Sequence, residues 1–336
     1  MKILQNNNYL KEKENQVGLP FVSVIIINYN GRKFLDECIK SLHTQSYKDF
    51  EIIIVDNASI DDSIEIIESN FPEIRIIRNQ LNLGYAGGLN AGIRVARGSY
   101  IMTLNNDTKV ESRCIEYLVD VMARNKHIGM CATKMLFPDF RINSTGICIS
   151  RSGAAWDRGM FEADEGQYDT VEEIFAPCAG AAMYRRAMFD EIGLFDEDFF
   201  LYMEDVDLAF RGHLAGWKCL YVPQSVVYHY HGGTAGFMSD LSVYYGNRNI
   251  LWYPIKDFPL TLLLTSSPWI IGRTIGTIPY YAIRGQGKII LKSKMDGLKG
   301  IPKMVKKRKY VKRNAPLKEI KKLLKSWCSI NKTLDQ

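Results

Sequence analysis

The chain has 336 residues, 46% of them hydrophobic, which is enough for one large core with an appendage and argues against a disordered protein. Its seven cysteines are odd in number and form no Cys-x-x-Cys pair, which argues against a disulfide framework or a zinc ribbon and predicts reduced thiols. The net charge is +6, but residues 284–336 hold 17 Lys or Arg against three acidic residues, a net charge of +14, so the remainder carries −8.

The N-terminal residues 1–20 are polar and lack the long apolar run of a signal peptide, so we predict a flexible leader and a cytoplasmic protein. Residues 21–28 (FVSVIIIN) then form an apolar, β-branched run, typical of a strand buried on both faces. Residues 32–44 carry apolar side chains at helical spacing and predict the first helix.

Strands and helices continue to alternate along the first third of the chain. Further strands are predicted at 50–56, 73–79 and 100–104, and further helices at 58–70 and 86–97. Such alternation predicts an α/β fold with a doubly wound parallel sheet and right-handed crossovers. Ligands of such sheets bind at the carboxyl ends of the strands.

Polar residues lie at the end of each of the four predicted strands. They are Asn28-Tyr29-Asn30, Asp56-Asn57, Arg78-Asn79 and Asn105-Asn106-Asp107. Since the carboxyl ends of parallel strands lie at one edge of the sheet, we expect these groups to line one crevice. Polar groups of this kind need partners when they are buried, so the crevice is predicted to bind a ligand.

A glycine-rich segment occupies residues 82–92 (NLGYAGGLNAG). Gly84, Gly87 and Gly88 there permit close approach of the backbone to a ligand, and the alternative is a tight turn whose small residues allow helix packing. The first predicted strand is not followed by G-x-G-x-x-G, and the chain has no Walker lysine motif, which disfavours a Rossmann dinucleotide site and a P-loop.

Four segments together resemble a known family. They are residues 22–63, the glycine-rich segment, residues 104–110 (LNNDTKV) and residues 195–218 (FDEDFFLYMEDVDLAFRGHLAGWK). In this order they resemble the family-2 glycosyltransferases of GT-A fold, nearest to the rhamnosyltransferase-like branch. The resemblance covers about residues 22–255 and implies a nucleotide-diphosphate-sugar donor, inversion at the anomeric carbon and a divalent cation, Mg²⁺ or Mn²⁺.

The resemblance places the nucleotide-sugar half in residues 21–110. Asp56 matches the acid that holds the nucleoside, and capping of the following helix is its alternative role. Asn28 and Tyr29 are expected to flank the nucleobase. Asn82 and the glycine-rich segment match the part that closes over the donor.

Asn106 and Asp107 fall on the family's metal motif, usually Asp-x-Asp, although its first position here is Asn105. One carboxylate suits Mg²⁺ or Mn²⁺ when donor phosphates and water complete the coordination, with Asn106 assisting the donor. As an alternative, Asp107 caps a helix beginning near Glu111.

Two histidines precede the Gly-Gly-Thr sequence that the family shares. His229 and His231 are both candidates to complete the metal site, because a neutral imidazole is a common metal ligand. Arg248, in the short branch motif YYGNRN, is expected to pair with the donor diphosphate or to form a buried salt bridge.

Residues 201–211 (LYMEDVDLAFR) contain three acids within four positions. By resemblance Asp205 is the general base and Glu204 orients the acceptor. Asp207 and Arg211 have the i, i+4 spacing of a structural pair. The alternative for the whole cluster is an acidic helix N-terminus.

The acceptor half is predicted at residues 111–255. Its segment 153–169 is polar and glycine-punctuated, and we interpret it as an acceptor-side loop in which Trp156 stacks on a sugar or is an ordinary core or surface tryptophan. Gly180 is expected to leave room under the acceptor.

Residues 256–336 are predicted to form a helical, basic extension. Its apolar part, 258–283, is broken by Pro268 and Pro279 and is too short for an ordinary spanning helix. An apolar surface followed by a polybasic run favours peripheral binding to the anionic inner face of the cell membrane. The alternative is a C-terminal helix packed on the domain with a solvated basic face; nucleic acid is disfavoured because no recognised binding motif accompanies the charge.

The sequence therefore predicts an inverting glycosyltransferase of cell-envelope polysaccharide biosynthesis, which adds a sugar to a lipid-linked or growing glycan. Rhamnose from dTDP-rhamnose is the branch's frequent choice. A noncatalytic sugar-binding protein is the alternative from another class. A sugar nucleotidyltransferase is less favoured because its Gly-x-Gly-Thr-Arg segment is missing.

Overall fold

The computed structural model describes residues 21–230 and 238–325. The first part contains β1 (Val22–Asn28), α1 (Leu35–His43), β2 (Phe50–Asp56), α2 (Ser63–Asn70), β3 (Arg75–Arg78), α3 (Gly84–Val95) and β4 (Tyr100–Asn105). The middle part contains β5 (Thr108–Val110), α4 (Cys114–Arg124), β6 (Ile128–Leu136), β7 (Ile142–Ser144), β8 (Ile147–Ser150), β9 (Ala155–Asp157), β10 (Glu172–Ile174), β11 (Ala181–Arg185), α5 (Arg186–Ile192), α6 (Glu204–Ala215) and β12 (Lys218–His229). The last part contains α7 (Asp240–Asp257), α8 (Leu260–Tyr281), α9 (Gly287–Lys307), α10 (Leu317–Leu323) and β13 (Leu324–Lys325).

The central sheet has the strand order β10-β12-β6-β11-β4-β1-β2-β3. Strands β4, β1, β2 and β3 are parallel, and β12 is parallel to β6. Strand β11 is antiparallel to both of its neighbours, β4 and β6. The predicted α/β fold is confirmed, and the antiparallel β11 in the middle of the sheet is a feature that the alternating pattern of the first strands did not predict.

The chain changes direction across the sheet at β1. The succession β1, β2, β3 runs toward one edge, whereas β4 lies on the other side of β1. A reversal of strand order opens a crevice at the carboxyl ends of the strands. Asn28 at the end of β1 lies beside Asp56 of β2, and Ile27 lies beside Asn105 of β4. Three of the predicted polar strand ends therefore meet at this crevice.

Two apolar layers enclose the sheet, and β1 is buried along its whole length because it faces both. Val24 and Ile26 belong to a cluster with side chains of α1, α2 and α4. Ile25 and Ile27 belong to a second cluster with side chains of α3, α5 and α6. The continuous apolar run of β1 is thus explained by helices on both faces of the sheet.

The first two helices begin later than their apolar spacing predicts, at Leu35 and Ser63. The residues before them form loops that hydrogen-bond to each other. The Ile60 amide donates to Asn30 Oδ1 over 2.9 Å, and the Arg32 amide donates to Asp61 Oδ2 over 3.0 Å. These loops leave the sheet at its carboxyl edge and border the crevice.

The glycine-rich segment is mostly helical, so Gly87 and Gly88 do not form the predicted turn, and their contact with a donor stays a prediction. Helix α3 begins at Gly84, whose φ is +71°. A Cβ on Gly88 would lie 3.0 Å from Asn57 Nδ2 and 3.1 Å from Ile27 Cδ1. For Gly88 the alternative of small residues that permit helix packing is confirmed, because α3 lies against the strands beneath it.

The C-terminal helices α7 and α9 pack closely against each other. The Trp252 indole of α7 donates to the Gly297 carbonyl of α9 over 2.8 Å, and a Cβ on Gly300 would lie only 2.4 Å from the Trp252 ring. Between α8 and α9 the chain bends at Gly285, whose φ is +82°. Among the described helices, none is long and apolar enough to cross a membrane.

Six of the cysteines lie in the described residues, and all six are free thiols. The predicted leader, residues 1–20, lies outside the described residues. The boundaries proposed between leader, glycosyltransferase domain and extension stay predictions.

Candidate active site

Asn28 links three strand ends at the donor side of the crevice. Its Nδ2 donates to Asp56 Oδ1 over 3.1 Å, and its Oδ1 accepts from Asn106 Nδ2 over 3.1 Å. All three side chains are buried. Helix α2 begins seven positions after Asp56 and has no side-chain cap, so the alternative in which Asp56 caps that helix is wrong.

The neighbouring loops are fixed by amide side chains. Asn57 Nδ2 donates to the Gly84 carbonyl over 2.9 Å, and Asn82 Oδ1 accepts from the Gly84 amide over 2.8 Å. Tyr29 stands at the mouth with 37% of its surface exposed. The structure therefore brings Tyr29 next to the Asn28–Asp56 pair and anchors Asn82 at the start of α3, while their contacts with a donor stay predictions.

Asp107 lies in the turn between β4 and β5, seven residues before α4, so the alternative of a helix cap is wrong. Its Oδ1 is 3.2 Å from His229 Nε2, and both side chains are buried. His229 Nδ1 is 2.9 Å from Asn143 Oδ1, and Asn105 Nδ2 is 3.2 Å from Nε2. A proton on Nδ1 leaves Nε2 as the acceptor of the ring, the form in which a histidine binds metal.

Asp107 and His229 offer one carboxylate oxygen and one imidazole nitrogen side by side. In residues 21–230 and 238–325 there is no group of three or more His, Cys, Asp or Glu that could hold an ion. Two protein ligands fit a Mg²⁺ or Mn²⁺ ion that takes its remaining ligands from phosphates and water. The other candidate, His231, lies outside the described residues.

Glu204 and Asp205 are the first two residues of helix α6. Asp205 accepts hydrogen bonds from the amides of Val206, over 2.8 Å, and Ala179, over 3.3 Å. Removal from solvent raises the pKa of Asp205 to about 6. Burial and the charge of Asp205 raise the pKa of Glu204 well above its ordinary value. A carboxylate with a pKa near 6 is suited to general-base catalysis near neutral pH.

The loop before α6 has a strained backbone. Phe200, Tyr202 and Met203 have φ angles of +64°, +66° and +69°, a region that side chains other than glycine rarely adopt. Such residues cost roughly 1–3 kcal/mol each and cluster at functional sites. The strain therefore lies immediately before the two acids that the sequence singles out.

Asp207 has a structural role, as predicted from its spacing to Arg211. Arg211 Nε donates to Asp207 Oδ2 over 2.9 Å, and both side chains are buried. Lys256 of α7 binds the other oxygen of Asp207 and also Asp196. The acids of the cluster thus divide between the crevice and a buried ion-pair network, and a simple acidic helix N-terminus does not describe them.

Arg248 supports the strained loop. Its Nη2 donates to the carbonyls of Asp198 and Phe199 over 2.9 and 3.0 Å, and its guanidinium lies 4.2 Å from the centre of the Trp252 ring. The alternative of a buried salt bridge is wrong, because these partners are backbone carbonyls. A contact with the donor diphosphate stays a prediction.

Comparison with known proteins agrees with this arrangement. The family model "Glycosyl transferase family 2" matches residues 23–193, about half of the chain. The chain belongs to glycosyl transferase family 2. It is therefore a glycosyltransferase, and the alternatives of a noncatalytic sugar-binding protein and a sugar nucleotidyltransferase are wrong. The match includes Asp56 and Asp107 and ends before Glu204.

Relatives of this glycosyltransferase include an N-acetylglucosaminyl-diphospho-decaprenol L-rhamnosyltransferase of Mycobacterium tuberculosis, 24% identical over 237 residues, which covers 63% of this chain and 77% of the relative. An uncharacterized protein of Sinorhizobium fredii is 26% identical over 230 residues, which covers 65% of this chain. The chain spans only 25% of the length of that second relative.

Solved structures with the same fold are GT-A glycosyltransferases. One is GalNAc-T7 with UDP, GalNAc and Mn²⁺, with a TM-score of 0.57, 17% identity, and coverage of 72% of this chain and 48% of that one. Another is a mannosyltransferase of Pyrobaculum calidifontis with GDP-Man and Mn²⁺, with a TM-score of 0.53, 15% identity, and coverage of 88% and 86%. The predicted family and fold are confirmed.

The acceptor side of this glycosyltransferase differs from the expectation at Gly180. A Cβ there would lie 3.1 Å from Asn105 Nδ2 and 3.3 Å from Met135 Cε, and the Gly180 carbonyl accepts from the Asn105 amide over 2.8 Å. The missing side chain therefore makes room for Asn105, and the predicted space for an acceptor is not found at Gly180. Trp156 lies in β9, paired with Cys148 of β8 and partly exposed, and sugar stacking on it stays a prediction.

Asp157, the residue after Trp156, is a candidate functional residue that no motif in the sequence indicates. Its Oδ1 is shielded from solvent and has no hydrogen-bond partner among the described residues. Burial raises the pKa of Asp157, a hydrogen bond with Ser144 and the proximity of His229 lower it, and the charge of Asp157 in turn raises the pKa of Asp205. A single aspartate in a polar loop forms no recognisable sequence motif. Asp157 lies near these groups because β9 pairs with β8.

Proposed function

We propose that this family-2 glycosyltransferase moves a sugar, with inversion, from a nucleotide-diphosphate donor to a lipid-linked or growing glycan, with Asp205 as the general base. One observation carries the proposal: the segment Ala179–Gly180 hydrogen-bonds to both halves of the crevice. The Ala179 amide donates to Asp205, and the Gly180 carbonyl accepts from Asn105, two positions before Asp107. The proposed base and the end of the strand that precedes the proposed metal ligand are thus bonded to one stretch of backbone.

The chemistry follows from these positions. Asp205, deprotonated above its pKa of about 6, accepts the proton of the acceptor hydroxyl as that oxygen forms a bond to the anomeric carbon. The bond to the diphosphate breaks on the opposite face of the sugar, which inverts the configuration. Asp107 and His229 would hold a divalent ion, which neutralises charge on the departing diphosphate. Asp56 would offer its carboxylate to the nucleoside, and Asn28, whose Nδ2 donates to Asp56 and whose Oδ1 accepts from Asn106, would hold it in place.

For the donor we propose dTDP-rhamnose, with a diphospho-polyprenol-linked sugar as acceptor. The support is the relative from Mycobacterium tuberculosis, whose name states a rhamnosyltransferase acting on such a lipid-linked acceptor. For the cofactor we propose Mn²⁺ or Mg²⁺, supported by the Mn²⁺ in two structures of this fold.

The test is a donor screen with dTDP-rhamnose, UDP-GlcNAc and GDP-mannose, each with Mn²⁺. The protein's thermal unfolding and the release of nucleoside diphosphate are measured in the presence of a polyprenol-diphosphate-linked N-acetylglucosamine. We expect dTDP-rhamnose to give the largest rise in Tm, since ligands stabilise the folded state, and to be turned over. Turnover with UDP-GlcNAc or GDP-mannose alone would replace the proposed donor.

The base is tested by Asp205→Asn, which keeps the shape of the side chain and removes its basicity. We expect turnover to fall by about 100-fold or more, within the usual range for loss of a general base. Asp190→Asn, at an exposed position of α5, is the matched control and should keep full turnover. Unchanged turnover in Asp205→Asn would refute the role of Asp205.

We also propose that α8 and α9 bind the anionic inner face of the cell membrane. One side of α8 is buried through Leu262, Ser266 and Ile270. Other positions expose large apolar side chains, such as Trp269 at 62% and Ile275 at 61%. Exposed apolar residues also lie on α9, interspersed with exposed lysines, a combination that favours an anionic bilayer.

A further inference from the structure

We infer that Asn249 is a positioning residue for the transfer reaction: its side chain holds the strained loop 199–203 in the conformation that delivers Asp205 to the crevice. The inference rests on the proposed function, because it takes Asp205 as the base. It assigns a role to a residue of α7 whose side chain hydrogen-bonds to carbonyls of the loop and not to Asp205 itself.

Asn249 is fully buried and turned toward the loop. Its Nδ2 lies 2.8 Å from the carbonyl oxygen of Phe199, 2.9 Å from that of Leu201 and 2.7 Å from that of Tyr202. An amide nitrogen carries two hydrogens, so three acceptors at these distances share them. One side chain therefore ties together carbonyls from three of four successive residues.

Arg248 fixes the orientation of this amide. Its Nε donates to Asn249 Oδ1 over 2.9 Å, a contact that requires an acceptor at that position. The Asn249 nitrogen must then face the loop. Arg248 also binds the carbonyls of Asp198 and Phe199, so the two adjacent residues of α7 hold four carbonyls of the segment 198–202.

The loop needs such support because its backbone is strained and its carbonyls form buried or partly buried hydrogen bonds to donors of α7. Phe200, Tyr202 and Met203 have positive φ, and relaxation of any of them would redirect the chain. The remaining carbonyl of the segment, that of Phe200, accepts from the Tyr85 and Ala86 amides of α3. Buried carbonyls without donors are costly, so removal of the Asn249 amide favours rearrangement of the loop.

The path of the loop determines where Asp205 lies. Helix α6 starts at Glu204, directly after the strained residues, and its first turn is closed by the Asp207 amide on the Met203 carbonyl over 2.9 Å. A shift of Met203 therefore moves the first turn of α6, including Asp205. A displacement of about 1 Å at a reacting group is enough to lower a rate about 100-fold.

The experiment compares Asn249→Ala with Asn247→Ala. Asn247 is also buried in α7, but its side chain bonds to the Val243 carbonyl and to Lys294 of α9, away from the loop. Turnover of the donor selected by the screen is measured by release of radiolabelled product, and donor affinity is measured by calorimetry. For Asn249→Ala we expect kcat to fall by about 100-fold with donor Kd unchanged within about threefold, while Asn247→Ala keeps kcat.

A double-mutant cycle separates positioning from a general effect on the fold. If Asn249 acts through Asp205, Asn249→Ala combined with Asp205→Asn is no slower than Asp205→Asn alone. Multiplication of the two losses in the double variant would overturn the inference, as would wild-type kcat in Asn249→Ala. If the alanine variant does not fold, Asn249→Ser, which retains one donor, is judged by the same criteria.

The two proposals fail in different ways. Full turnover in Asp205→Asn refutes Asp205 as the general base, and with it the role of Asn249 in positioning that base. Loss of turnover in Asp205→Asn together with wild-type kcat in the Asn249 variants refutes the positioning role alone.

Discussion

Asp205 and Asp157 show how single residues set the chemistry of the crevice. Asp205 combines two amide hydrogen bonds, which favour its charged form, with removal from solvent, which opposes it and dominates. Asp157 adds a negative charge nearby and raises the pKa of Asp205 further. The result is a carboxylate that is still largely deprotonated at neutral pH yet basic enough to accept a proton.

The pH dependence of turnover should report this pKa. A base is active only when deprotonated, so kcat/KM should fall as the pH drops through about 6, where Asp205 becomes protonated. In Asp157→Asn a neighbouring negative charge is lost, the pKa of Asp205 falls, and the acid limb should move to lower pH. Asp139→Asn, in an exposed loop, is the control. If kcat/KM fell at the same pH in the wild type, Asp157→Asn and Asp139→Asn, the prediction would be contradicted.

At the scale of elements, α7 joins the C-terminal helices to the acidic loop. Lys256 binds Asp196 and Asp207, and from α9 Lys307 binds Asp196 and Asp198. These lysines lower the pKa of Asp196 although its burial opposes them. The stabilisation of the fold by the Asp196 ion pairs is complete above pH 3.8, the ordinary pKa of an aspartate, and is lost as the pH falls below it. The free energy of unfolding near pH 7 therefore includes all of this stabilisation.

Removal of Lys256 should therefore destabilise the protein strongly. Lys256→Met leaves buried Asp207 with Arg211 as its remaining cation and weakens the hold on Asp196. We expect the free energy of unfolding to fall by about 3–5 kcal/mol, as for other broken buried pairs. Urea unfolding at pH 7 measures it. Lys299→Met, at an exposed position, should change stability by less than about 1 kcal/mol.

Lys294 of α9 is the opposite case, a buried cation that costs stability. Burial, with the charge of Arg273, lowers the pKa of Lys294 to about 7. Its ammonium meets Asn247 Oδ1 at 3.0 Å. The loss of folding stability is largest below pH 7 and shrinks as the pH rises toward 10.5, the ordinary pKa of a lysine. We therefore expect Lys294→Met to raise Tm, and to raise it more at pH 6 than at pH 8.5. A Tm below that of the wild type at pH 6 would contradict this prediction.

At the scale of the whole molecule, the basic extension serves the fold as well as the proposed membrane surface. Lys303 and Lys307 face the domain through Asp196 and Asp198, whereas Lys292 and Lys299 face outward. The formal charge of the extension therefore overstates what a membrane would meet. A deletion of α9 would also remove helix packing around Trp252, so membrane binding is better tested by surface substitutions.

Replacement of Trp269 and Ile275 by serine should weaken binding to vesicles rich in phosphatidylglycerol. Loss of two large apolar side chains from the bilayer should lower the partition coefficient about tenfold per residue. Phe140→Ser removes an exposed aromatic residue elsewhere and should bind as wild type. Co-sedimentation at low and high salt measures the effect, and equal binding by all three proteins would count against the surface.

The sequence by itself determined the alternating α/β framework, the polar strand ends and the segments shared with family-2 glycosyltransferases. Each is a local pattern, because burial on both faces, helical spacing and the residue types of a motif are all properties of contiguous residues. The tertiary structure decided which side chains meet. His229 joins Asp107 across 122 positions of sequence, Asp157 approaches Asp205 through the β8–β9 pair, and Asn249 holds the loop before α6. These contacts depend on strand order and helix packing between distant segments, which no local spacing encodes.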